Sequence, residues 1–299
     1  MKNRKNKKNI HPRYLIFDSL NTVFMIVLTV ACIYPLWYIL IYSVSDPLEA
    51  AKGLVFLPRN VTAANFSSIL RDSNIYRALV VSFARTFIGA GLTVTCTSFM
   101  AYLFMQPNLP GKKFINRFII MTMYFSPGLI PWYLTMYYYG FKDSFLLYVI
   151  PSAVNAYYMI LIKAYLESLP ASLSEAAEID GAGIFQIYRR IILPLSKPIL
   201  ATVALFSAVG QWNTWSDNLY LVKKASLKTL QLILYEYFQS NVPDIENLRS
   251  LAATMSKRTV TTTSIRMAVA VLTIVPIFMV YPFVQKYFQK GIMIGAVKG

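Results

Sequence analysis

Six windows of about 18 or more mostly apolar residues constrain this chain more than any other feature. About 20 such residues, rising 1.5 Å each in a helix, cross the hydrocarbon of a bilayer. The windows lie between Asp18 and Asp46, from near Ala78 to about Met105, between Arg117 and Lys142, between Asp143 and Lys163, between Lys197 and Asp217, and between Arg266 and Lys286. Only the second contains a charge, Arg85. Backbone groups in lipid must bond within the protein, and no alternating barrel pattern is present, so each window is read as a helix. The expected fold class is therefore all-α, a polytopic membrane protein with six transmembrane helices. Composition agrees: 14% of the 299 residues are charged and 56% hydrophobic, where a soluble domain carries about 25% charge. That excludes a disordered chain and a two-domain soluble enzyme.

The windows divide the chain into a basic tail (1–18), a first transmembrane helix (19–45), an extracellular segment (46–77), a five-helix core (78–288) and a C-terminal tail (289–299). The core includes an inner loop (163–198) and an outer loop (223–264), the latter with amphipathic pieces around Leu227–Phe238 and Glu246–Met255. With the N-terminus inside, the inner segments hold 16 basic and 5 acidic residues and the outer ones 12 and 8. The positive-inside rule then supports cytoplasmic N- and C-termini. The opening MKNRKNKK resembles a signal-peptide charged region, but the apolar run behind it is long and lacks a small-residue cleavage site, so a retained helix is expected. The basic run reads as an anchor for anionic lipid rather than a nucleic-acid arm. Cys32 and Cys96 sit in apolar runs and His11, the single histidine, sits in the tail, so no disulfide framework, metal cluster or His-based catalytic group is expected. Asn60-Val-Thr62 and Asn65-Phe-Ser67 match the glycosylation triplet but are common by chance.

The inner loop carries the densest signal. Ser172 and Glu175 have capping-box spacing, Asp180-Gly181 is a natural helix stop, and a second helical piece runs from about Ile184 to Leu193 and ends at Pro194. The expectation is helix, tight turn, helix, with a tip of small residues able to approach another protein's backbone.

Glu175-Ala176-Ala177, three residues, Gly181, nine residues, Ile191, one residue and Leu193-Pro194 form a pattern similar to the EAA loop of ATP-binding-cassette importer permeases. The resemblance covers about Ile75 to Gly299. The tail Gln285–Gly299 and Gln211-Trp212-Asn213 look like the carbohydrate branch, related to the smaller maltose-type subunit and to lipoprotein-dependent oligosaccharide importers; Asp217-Asn218 departs from its more apolar pattern. The resemblance implies a type I importer permease fold with six helices, in a bacterial cell membrane. It further implies that the loop's first helix docks on an ATPase subunit through Glu175, Ala176, Ala177, Asp180, Gly181, Leu193 and Pro194.

No G-x-x-x-x-G-K-[ST] phosphate loop is present, so this chain is not expected to hydrolyse ATP or to be an enzyme. It binds no cofactor in this reading; ATP and Mg belong to partner ATPase subunits. One loop cannot serve a pair of ATPases, so a second permease chain is required, a distinct homologue by resemblance, with two ATPase copies and an extracellular solute-binding lipoprotein. Solute contacts are sought where polar and aromatic residues interrupt the spans, because sugars offer apolar ring faces and many hydroxyls. Candidates are Gln211, Trp212, Asn213, Trp215, Asp217 and Asn218 in the fifth span. Asn155, Tyr157 and Tyr158 come from the fourth, and Tyr124 and Trp132 flank an expected bend at Ser126-Pro127-Gly128 in the third. Arg85 either lies on the solute path, pairs with Asp217, or extends to the outer headgroups; its place in the first turns of its span favours the headgroups. The leading function is inward transport of a sugar, most of all an oligosaccharide, with a polyol or glycerol phosphate as the alternative solute. An ion-coupled carrier is disfavoured because the spans lack a central acid.

Overall fold

The structure, a computed structural model, describes residues 12–53, 56–239 and 261–296, and all regular structure among them is helical. The first eleven residues of the tail, with the run MKNRKNKK and His11, and the piece Glu246–Met255 lie outside the described residues. The chain divides into two compact units, Met1–Ile69 with Asp244–Val271, and Leu70–Pro243 with Leu272–Gly299.

In the first unit, α1 (Pro12–Val44) is apolar on every side and exposes large side chains from Ile16 to Leu40, as a helix facing lipid or another chain must. Asp46 caps α2 (Pro47–Ala51) by accepting from the amides of Leu48 and Glu49 at 2.9 and 3.2 Å. Ile41, Tyr42 and Ala50 form a small core with Tyr38 and Met267. At α3 (Ala64–Leu70), the buried Asn65 amide donates to the carbonyls of Ser43 and Ser45 at 2.8 and 3.0 Å. That side chain holds up the turn after α1 and is closed to glycosylation, whereas Asn60 is exposed.

The second unit is organised on α4 (Ser73–Leu103), an unbroken 31-residue helix whose start Asp72 fixes by accepting from the Asn74 amide at 2.9 Å. The third window holds two helices, α5 (Lys112–Tyr124) and α6 (Leu129–Tyr138), parted at Ser126-Pro127-Gly128; proline has no amide to give and pushes its predecessor out of the helical region. The fourth holds α7 (Leu146–Val149) and α8 (Ala156–Glu167), and Asn155 caps the latter by accepting from the Tyr158 amide at 3.0 Å. The inner loop holds α9 (Ser172–Ile179) and α10 (Ile184–Ile187), then a π-turn over Tyr188–Ile192 and α11 (Leu193–Leu195). After Ser196 the chain bends by 82° into α12 (Lys197–Asn213). The outer loop follows with α13 (Ser216–Leu221) and α14 (Leu230–Gln239), and α15 (Thr262–Ala296) closes the chain.

Among the described residues three continuous helices are long and apolar enough to cross a membrane, within Ile16–Val44, Ser73–Leu103 and Thr262–Val280, and the bent pair around Ser196 is a fourth if its two halves form one span. The other two windows are filled by broken helices. Several expected boundaries move: α1 begins at Pro12, inside the expected tail, α4 begins at Ser73 rather than Ala78, and α15 runs on to Ala296. Charges mark where an apolar slab ends, whereas caps mark where a helix ends, and the two need not coincide.

Candidate functional site

The inner loop forms the expected helix, turn and helix, with two differences. Ser172 does not cap α9: Ala171 already has helical backbone angles, and the amides of Ser174 and Glu175 reach the Ala171 carbonyl at 3.0 and 3.1 Å. The chain turns at Leu169-Pro170 before Ser172 arrives, so the capping box does not form. The second piece does not stop at Pro194 either. The Leu193 amide reaches back five residues to the Tyr188 carbonyl, and this wider turn lets Pro194 sit inside the continuing helix without an amide.

The far end of α9 is as the residues dictate. Gly181 has φ +80, its amide donates to the Glu178 carbonyl at 3.0 Å, and the Ala182 amide donates to the Ala177 carbonyl at 2.9 Å. These two bonds close the helix in a Schellman motif, whose left-handed residue glycine adopts without steric cost. Glu175, Ala176, Asp180 and Gly181 are exposed together at this tip, Ala177 is half-buried, and nothing lies within 4 Å of where a Gly181 Cβ would stand. Leu173, Ile179, Ile184 and Phe185 are exposed around it, an apolar patch of the kind that marks a protein interface. Leu193 is half-buried and Pro194 exposed, farther along the same segment.

Behind the tip the loop is anchored. Ile187, Tyr188 and Ile192 pack on Ala101, Tyr102, Ile162, Leu166, Leu200 and Val203, and the Tyr188 hydroxyl shares a 2.7 Å hydrogen bond with Ser98 of α4. Phe99 adds a ring contact to Tyr188 at 5.1 Å. Sequence reasoning missed Ser98, Phe99 and Tyr188; the i, i+1 and i+4 placement of Ser98, Phe99 and Tyr102 on α4 was the available signal.

The polar residues of the spans come together on one stripe of α4. Arg85 is 3% exposed and turns inward, not to the headgroups, because partners await all parts of its guanidinium. Its Nε donates to Gln211 Oε1 at 2.9 Å, and its Nη1 to the Thr214 carbonyl and to Asp217 Oδ1, both at 3.1 Å. Its Nη2 donates to Asp217 Oδ2 at 2.6 Å, completing a two-pronged ion pair, and the Tyr148 ring covers the fork at 4.6 Å. Gln211, at 6% exposure, also donates to Ser152 Oγ at 2.6 Å. Asn218, fully buried, donates to the Tyr148 hydroxyl at 2.6 Å and accepts from the amide and hydroxyl of Thr229 at 2.9 and 3.2 Å.

The same stripe continues toward both ends of α4. Ser82 accepts from the Leu230 amide at 2.8 Å, Thr93 donates to the Ser152 carbonyl at 2.8 Å, and Thr97 donates to the Ala153 carbonyl at 3.3 Å. The breaks after α12, before α8 and before α14 thus each find a side chain on α4 for freed backbone groups, which is how non-helical backbone is tolerated at membrane depth.

Of the residues expected on the solute path, Arg85, Gln211, Asp217 and Asn218 are locked into this network, and Trp212 is buried with its indole donating to the Thr273 carbonyl at 3.0 Å. The others remain accessible. Asn213 is exposed and accepts from Gln231 at 3.1 Å, while Trp215 stacks on Tyr235 with ring centroids 4.0 Å apart. Tyr124 is 88% exposed, Asn155 and Tyr157 are exposed, and Tyr158 and Trp132 are half-buried. Gln231 and Tyr235 were not foreseen, since they lie on an outer-loop helix that sequence alone does not bring to the fifth span.

Broken apolar helices stitched to one continuous helix, with an exposed knuckle projecting from them, are the features of a polytopic membrane subunit. Residues 93–294 match the family described as binding-protein-dependent transport system inner membrane component, and the chain belongs to it. It is 31% identical to the polygalacturonan/rhamnogalacturonan transport system permease protein YtcP of Bacillus subtilis (strain 168), over 95% of this chain and 99% of that protein. It is 33% identical to Protein LplC of the same organism, over 95% of each. Among solved structures, a bacterial ABC transporter involved in the import of the acidic polysaccharide alginate superposes with a TM-score of 0.87 at 29% identity, over 93% of this chain and 99% of that one. The family match, residues 93–294, spans the inner loop and α12 and begins after Arg85.

Proposed function

We propose that this chain is one permease subunit of an ATP-driven importer that carries an oligosaccharide inward across a bacterial cell membrane, six-spanning with both termini in the cytoplasm. A binding protein delivers the solute to the outer face. The observation that carries the reading is the exposed, glycine-ended tip of α9, ringed by Leu173, Ile179, Ile184 and Phe185 and fastened behind to α4. Such a knuckle fits a cleft of an ATPase subunit and transfers its motion to α12. Two ATPases are needed to hydrolyse ATP with Mg between them, so a second, homologous permease supplies the other knuckle; this chain contributes no nucleotide site. The solute class rests on the sugar-transport names of the similar proteins. Asn213, Gln231, Trp215 and Tyr235 form the best-suited contact surface, with amides for hydroxyls and rings for sugar faces.

The test is to purify the chain with its permease, ATPase and binding-protein partners and measure which saccharide stimulates ATP hydrolysis. An oligosaccharide is expected to stimulate; stimulation by polyols or glycerol phosphate alone overturns the solute assignment. Replacing both Asn213 and Trp215 by Ala should shift the concentration dependence of uptake, and an unchanged curve removes them from the path. A second reading, an acidic oligosaccharide, is favoured by the exposed Lys142, Lys223 and Lys224 at the outer end, by the acidic polysaccharide alginate named for one similar protein and by the polygalacturonan and rhamnogalacturonan named for another. Galacturonate oligomers set against neutral oligomers of equal length decide it.

A further inference from the structure

The bonds around Arg85 run in order along the fifth span. At its inner end α12 is joined to the exposed loop segment, with Ser196 at the 82° bend donating to the Ile192 carbonyl at 2.7 Å. At its outer end α12 stops at Asn213, Thr214 is extended, and α13 starts only at Ser216. A span interrupted there would pivot at two residues. Arg85 bridges the interruption from the side: Gln211 is the last turn of α12, the Thr214 carbonyl is in the break, and Asp217 is the first turn of α13. From α13 the bonds go on outward. Asn218 takes both donors of Thr229, and Tyr148, bonded to Asn218, donates to the Leu227 carbonyl at 2.7 Å.

We propose that Arg85 is a positioning residue for transport, a clasp that makes α12, α13 and the outer segment Leu227–Leu230 move as one body when the inner loop is displaced. This rests on the importer reading. The chemistry is suited to the task. A planar fork of five donors meets the two Asp217 oxygens in parallel while still reaching Gln211 and Thr214; a lysine ammonium has three donors on one atom and cannot form the two-pronged pair and span the rest. Apolar side chains of similar volume commonly stabilise a buried site as well as an ion pair does, so stability alone does not account for burying these charges. What the pair supplies is direction: the break is held in one geometry, and the outer surface bearing Asn213, Gln231, Trp215 and Tyr235 follows the helix that the motor moves.

The test uses the full complex reconstituted in liposomes, with solute uptake and ATP hydrolysis measured in the same vesicles for Arg85→Lys and Asp217→Asn. Expected is at least a fivefold fall in solute carried per ATP, with binding-protein-stimulated hydrolysis within twofold of the parent. Parallel loss of both at unchanged stoichiometry overturns the clasp, as does unchanged uptake. A second measurement is independent of transport. With Cys32 and Cys96 replaced by Ser, spin labels at Lys197→Cys and Ser226→Cys should give one narrow distance that is the same with and without nucleotide. Asp217→Asn, which keeps the shape of the side chain, should broaden or split it; a narrow, unchanged distance in that variant sinks the proposal. If the parent complex shows no saccharide-dependent hydrolysis, the importer reading fails instead, and the spin-label pair still judges the clasp.

Discussion

Gly89 shows how little slack the polar stripe has. A Cβ there would stand 2.6 Å from Gln211 Nε2 and 2.8 Å from its Cδ, and that amide is pinned between Arg85 and Ser152. Gly89→Ala should therefore displace Gln211 and destabilise the folded chain by about 1–3 kcal/mol, read as a lower Tm of the detergent-solubilised complex. Gly91, on the same helix with nothing within 4 Å, is the control: Gly91→Ala should be neutral or raise the Tm, since alanine is the better helix former by about 1 kcal/mol. At this scale the sequence was legible only in part. The pairing of Arg85 with Asp217 stood among three readings and was not the favoured one. Charge counting sees how near a residue is to the end of its own span, but not a carboxylate 132 positions away. Trp212 and Asn213 are neighbours in sequence that part company in the fold, one bonded to α15 and the other exposed.

At the scale of elements, helix ends decide what each segment can do. Because Ala171, and not Ser172, occupies the N-cap position of α9, Ser172→Ala should change the stability of the loop by less than about 0.5 kcal/mol. Gly181→Val places a β-branched residue at φ +80, costing roughly 1–2 kcal/mol or more. Hydrogen exchange of the α9 amides should be unmoved in the first variant and faster in the second. Outside the spans, Asp143 ties the turn after α6 to the outer loop, its Oδ1 accepting from the amides of Lys223 and Lys224 at 2.6 and 2.9 Å. Those bonds hold its carboxyl below the ordinary carboxylate value, aided by Lys224 and Lys142 nearby. A depressed folded value means the tie is fully present above the unfolded value, about 3.9, and is lost as pH falls through the folded one. Protection of the Lys223 and Lys224 amides, taken as exchange relative to the intrinsic rate at each pH, should fall below about pH 4 in the parent and show no such fall in Asp143→Asn. The breaks were legible where proline or a cap announced them, as at Ser126-Pro127-Gly128. The π-turn before Pro194 was not, because it is set by the packing of Tyr188 and Ile192 as well as by the proline.

Over the whole molecule, the loop pattern and the apolar windows were enough to place the chain in its family, since both are local in sequence. Which polar residues face one another was not, because that depends on how separate helices turn about their axes. Glu175→Arg should leave the amount of protein in the membrane unchanged and reduce ATP-driven uptake by at least tenfold, measured in reconstituted vesicles. Unchanged uptake would detach the knuckle from its motor. The segment from Met121 to Ile130 is exposed at every residue, and among the described residues no hydrogen bond reaches the backbone of Phe125, Ser126 or Pro127. In hydrocarbon such bare peptide groups cost several kcal/mol each. The importer reading therefore calls for a companion chain or a water-filled passage along this segment, the two settings in which non-helical backbone is tolerated between lipid leaflets.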